Sequence, residues 1–120
     1  SGILYYRTRF NCREAHKTRS KMIPKTYLEF EKSLELSHVP KEWSDGLKAA
    51  WYDANGDWEA SHNIAQDMHN TLGSWLHAYL HRKEGDRFNA GYWYRLAKKE
   101  YPTITLDEEL KVIVESIIIN

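Results

Sequence analysis

The sequence predicts an all-α protein of about six helices, and three observations carry that prediction. Apolar residues recur at helical spacing along most of the chain, helix-breaking pairs punctuate the recurrences, and no alternating strand pattern survives a pass along it. The length of 120 residues allows one domain, which buries roughly two thirds of its surface on folding. With 42% hydrophobic and 13% aromatic residues the chain is too apolar for a disordered tail. No apolar run approaches the ~18 to 20 residues needed to cross a bilayer, so no membrane partner is expected. The single cysteine, Cys12, excludes an intramolecular disulfide framework and an all-cysteine zinc site; it is compatible with a reducing compartment, and a cytoplasmic location is expected.

The elements follow in order. After Pro24, the residues Tyr27, Phe30, Leu34 and Leu36 predict a first helix of about 12 residues. It stops before Pro40, because a residue preceding proline is pushed out of the helical region. Trp43, Leu47, Ala50, Trp51 and Ala54 mark a second helix, N-capped by Ser44 and ended by Asn55-Gly56. Trp58, Ser61, Ile64, Ala65 and Met68 mark a third, and Leu72, Leu76, Tyr79 and Leu80 a fourth that ends at Glu84-Gly85. A fifth runs from about Arg87 to Lys99, ahead of Pro102. Thr105-x-x-Glu108 reads as a capping box for a sixth, with Leu106, Leu110, Ile113 and Ile117 as its apolar face.

Zero net charge hides an asymmetry. Residues 1–21 carry six basic groups against Glu14 alone, leaving eleven basic and sixteen acidic groups in residues 22–120. The first segment also lacks a sustained helical period, so the helical domain is expected to span 22–120. Three readings of residues 1–21 are open: translated or added sequence ahead of a start at Met22, a basic arm for nucleic acid or lipid headgroups, and an organellar transit peptide. The first is favoured, and nucleic-acid binding by the net-acidic remainder is then disfavoured.

Setting Gly56-Asp57 on Gly85-Asp86 aligns two units 29 residues apart. Leu47 falls on Leu76, Ala49 on Ala78, Trp51 on Leu80, Ile64 on Trp93 and Ala65 on Tyr94. Each unit is helix, glycine turn, helix. The second, with Gly85-Asp86, Ala90, Tyr94, Ala97 and Pro102, resembles the tetratricopeptide superfamily, and Ala90-x-x-Trp93-Tyr94-x-x-Ala97 is similar to the trailing helix of its Sel-like branch. The strings GDWEASHNIAQ and WLHAYLHRKEGDRFNAGYWYRLA are similar to a bacterial family of short proteins, a resemblance that brings no activity with it. The superfamily resemblance implies two tandem hairpins with the first and sixth helices as flanking caps. It also implies that the leading helices line a concave face and bring Trp43, Asp53, Trp75, Tyr79 and Arg82 toward a ligand. Aromatics and Arg carry binding energy in such grooves, although in a chain this small they can equally be core.

The chemically interesting residues sit on the third and fourth helices. His77, His81 and Glu84 share one face of the fourth; Glu59, His62, Gln66 and His69 lie beside the apolar stripe of the third. With an antiparallel turn centred near Thr71-Leu72, Glu59 lies level with Glu84, and His62 with His81. Two imidazoles and two carboxylates suit zinc, iron or manganese. The rival reading makes His77 and His81 core groups hydrogen-bonded to Tyr94 or Asn89, beside Trp93.

No phosphate-cradling loop or Gly-x-Ser-x-Gly elbow is present, so an enzyme is the weaker expectation. The favoured function is a small module that binds a protein, a peptide or a small-molecule ligand and needs no cofactor. The alternative is a metal-binding protein, a hydrolase among the options, with His62, His77, His81 and Glu84 as ligands and Glu59 as ligand or general base. Residues 117–119 could pack on a second copy to give a homodimer.

Overall fold

The computed structural model describes residues 23–119; the segment 1–21 read above as a basic leader lies outside them. Six helices follow one another: α1 Tyr27–Ser33, α2 Asp45–Ala54, α3 Trp58–Gln66, α4 Thr71–Lys83, α5 Arg87–Leu96 and α6 Leu106–Ile118. No strand occurs among the described residues, and no helix there is long and apolar enough to cross a membrane. Each helix starts on a side chain that accepts a backbone N–H, in turn Thr26, Ser44, Asp57, Asn70, Asp86 and Thr105. At α6 both halves of the capping box form: Glu108 N–H donates to Thr105 Oγ1 at 3.1 Å, and Thr105 N–H donates to Glu108 Oε1 at 2.9 Å.

Two helices are shorter than the apolar spacing predicts. α1 closes after Ser33 because the next three amides turn back three residues instead of four, Leu34 to Glu31, Glu35 to Lys32 and Leu36 to Ser33. α5 closes at Leu96 because Lys98 takes a left-handed backbone, φ 60°.

The two units set 29 residues apart in the sequence share local geometry. α2–α3 and α4–α5 are hairpins whose turns pass through Gly56 at φ 86° and Gly85 at φ 90°. In both, the amide after the glycine reaches back five residues, Asp57 to Tyr52 and Asp86 to His81. That same aspartate then N-caps the trailing helix, accepting from Ala60 or Asn89 at 3.1 Å. Leu47 and Leu76, Ala49 and Ala78, and Ala65 and Tyr94 are buried at equivalent places.

α6 departs from the expected end cap. It packs against α1 and across both leading helices, α2 and α4, so it covers the face on which a groove was expected. Trp43, Asp53, Trp75 and Tyr79 are buried. A buried carboxylate on α6, Glu109, fastens the arrangement by accepting from Trp75 Nε1 at 3.1 Å, Arg82 Nη1 at 2.7 Å and Tyr94 Oη at 2.6 Å. Asp53 accepts from Tyr79 Oη at 2.8 Å and Lys83 Nζ at 2.9 Å. Burial and the carboxylate beside each push both tyrosine hydroxyls well above their ordinary pKa, so they remain donors. The five proposed groove residues are therefore core and anchoring groups rather than an open lining.

Candidate metal centre

A cluster of three imidazoles forms where α3 crosses α4. His62 projects from the middle of α3, and His77 and His81 stand one turn apart on α4; a ring nitrogen of each lies within 4.8 Å of the others. The closest pair, His62 Nε2 and His77 Nε2, is 2.9 Å apart. The His62 ring lies edge-on to His77 and His81, while those two stack at 4.9 Å between centroids. Indoles wall the cluster: Trp58 stacks on His62 at 4.8 Å and Trp93 on His77 at 3.9 Å. Trp58 is itself fixed by donating from Nε1 to Leu80 O at 2.9 Å.

The register differs from expectation. His62 meets His77 most closely, one turn away from the predicted partner His81, because Asn70 caps α4 through Gly73 N–H at 2.8 Å and starts that helix at Thr71. The turn is thus centred nearer Met68 than Leu72. Glu59 is exposed and outside the cluster, close enough only for its charge to favour protonated His62. Gln66 and His69 are exposed and also outside. Neither rival partner pairs with the histidines: Tyr94 donates to Glu109, and Asn89 Nδ2 donates to Asp86 Oδ2 at 2.6 Å.

Glu84 does reach the cluster, through His81. Its Oε2 lies 2.7 Å from His81 Nδ1, a contact that fixes the ring as carboxylates do behind metal-bound histidines. His77 is 5% exposed and its Nδ1 has no hydrogen-bond partner. Burial, with His62 and His81 alongside, pushes the His77 pKa down to about 4. His62 is lowered too, chiefly by burial and then by His81. His62 and His77 are therefore held toward the neutral form, in which imidazole binds metal.

Two participants escaped sequence reasoning. Trp58, four residues before His62, carried the signal of an i, i+4 pair on α3, and Asp86 joins His81 and Glu84 in a second group of donors at the hairpin turn. Two hydrogen bonds from Asn89 hold Asp86 below the usual carboxylate range, which keeps it charged. No family model, curated protein or solved structure matches this chain significantly.

Proposed function

We propose that this protein binds a divalent transition metal of the zinc class through His62, His77 and His81. The carrying observation is the 2.9 Å separation of two imidazole Nε2 atoms with a third ring nitrogen inside 4.8 Å. Around tetrahedral zinc with bonds of ~2.0 to 2.1 Å, neighbouring ligand nitrogens sit about 3.3 Å apart. The pair is already near that spacing, and a ring nitrogen of the largely buried His81 lies within 4.8 Å of both. Three imidazoles leave a fourth position for water or a ligand, the composition typical of reactive rather than structural zinc sites. Glu84 supports the site from behind His81, and the indoles of Trp58 and Trp93 shield it from bulk water.

The test is titration of metal-free full-length protein with zinc by calorimetry, alongside cobalt absorption spectra. One equivalent of zinc, an intense visible band from tetrahedral cobalt and a melt raised by roughly 2.7 kcal/mol at a hundredfold excess over Kd are expected. His81→Ala should abolish both signals while the helical circular dichroism persists. Wild-type protein that takes up no metal would defeat the reading. The interaction-module function, deprived of its groove by α6, is supported instead by the exposed aromatic face of α5.

A further inference from the structure

We propose that the outer face of α5 docks onto the outer face of α6 in a second copy of this chain. Elsewhere along the hairpins each helix packs on the next: α2 on α3, α3 on α4, α4 on α5. α6 turns toward the leading helices and meets α5 only on its inner side, through Tyr94 and Glu109, which leaves the outer face of α5 exposed. Its outer side presents Phe88, Tyr92 and Leu96 at i, i+4 and i+8, exposed by 83%, 47% and 48%. Isolated exposed apolar residues are ordinary; a continuous ridge of three along one helix is an interaction surface.

Beside the ridge lies a cleft of about 500 Å³ lined by Arg87, Phe88, Gly91, Arg95 and Tyr101. Arg87 stacks over Tyr101 at 4.0 Å, and neither arginine forms an ion pair among the described residues. Residues 87–99 contain four cations and no carboxylate. The occupant must therefore offer carboxylates and apolar side chains along one line.

The chain carries that complement on α6. Glu108, Val112, Glu115 and Ile119 recur at i, i+4, i+7 and i+11, and all four are exposed. At 1.5 Å rise per residue, Arg87 and Arg95 stand about 12 Å apart along α5, and Glu108 and Glu115 about 10.5 Å apart along α6. Glu31 and Asp107 lie near enough to reinforce the negative field, since with Glu115 they raise the Tyr27 pKa after burial has done so. Lys111, over the Tyr27 ring, is the one cation within α6. Because the two faces differ, the contact is head-to-tail: it closes a ring or extends an open chain of copies. A contact confined to one helix face on each side would bury less than the ~800 Å² per partner of a stable dimer, so association is expected at protein concentrations on the order of 100 µM.

Sedimentation velocity of the full chain in EDTA, so that no metal bridges copies, tests the proposal. Wild type should form concentration-dependent oligomers that dissociate as NaCl rises from 50 to 500 mM, given Debye screening over ~10 Å and less. Arg95→Glu and Glu115→Arg should each be monomeric with unchanged helical circular dichroism. Mixed in equal amounts, they should associate again, because each brings the face the other lacks. Arg87→Glu replaces Arg95→Glu should the latter fail to fold. A monomeric wild type, a mixture that stays monomeric, or association persisting in Arg95→Glu would each overturn the proposal; the last would point to another basic segment docking on α6.

Discussion

Lys98 turns the backbone out of α5 with the same hydrogen bonds that Gly56 and Gly85 use after α2 and α4. Its amide bonds Arg95 O at 3.0 Å, and the following amide bonds Tyr94 O at 3.0 Å, five residues back. Two of these three ends are built on glycine and the third forces an L side chain to φ 60°. Replacing Lys98 with Gly should therefore stabilise the protein by about 0.5 to 1 kcal/mol in urea denaturation, and Gly85→Val should destabilise it by about 1 kcal/mol or more. At Gly85 a Cβ would meet nothing within 4 Å, so that loss isolates backbone strain from crowding. His77 sets a second prediction at this scale. The groups facing it are His62 from α3, His81 from α4 and the Trp93 ring from α5. With its pKa lowered from 6.5 to about 4, the unfolded chain takes up a proton that the folded one refuses. Stability of the metal-free protein is thus fully present above pH 6.5 and drains away as pH falls toward 4, by on the order of 3 kcal/mol. His77→Phe should flatten that slope; an equally steep loss in the variant would place its origin elsewhere.

Among the elements, α6 does the most to define the fold, and Glu109 is its anchor. Only the approach of α4 and α5 gives this carboxylate its three donors. Glu109→Ala should cost about 3 to 5 kcal/mol, since it strands the Arg82 charge and two buried donors, whereas Glu109→Gln, which keeps an acceptor oxygen, should cost less. Equal losses for the two variants would mean that shape rather than hydrogen bonding matters there. Helix identity, four of the six starts and both glycine turns were legible because caps and breakers are local chemistry: Ser44, Asp57, Asp86 and the Thr105 box act within four residues of themselves. The end of α5 was not legible, because nothing in Lys98 announces a left-handed turn. Nor was the placement of α6, which depends on partners 15 to 34 residues away in sequence.

For the molecule as a whole, the histidine cluster shows the same division. That His62, His77, His81 and Glu84 would gather followed from helical periodicity and a short connection between α3 and α4. Which nitrogen meets which did not, because a cap at Asn70 moved the register by a turn. The groove was misplaced for a larger reason: a hairpin pair has two faces to bury, and the sequence of the hairpins alone does not say which one α6 will take. That choice also orders the events of synthesis. α2 through α5 leave the ribosome before α6, and until α6 arrives Trp75 Nε1 and Arg82 lack the Glu109 carboxylate. The nascent hairpins therefore pass through an interval as sticky intermediates, in which a holding chaperone or an α6 segment from a neighbouring chain competes for the face that α6 later closes.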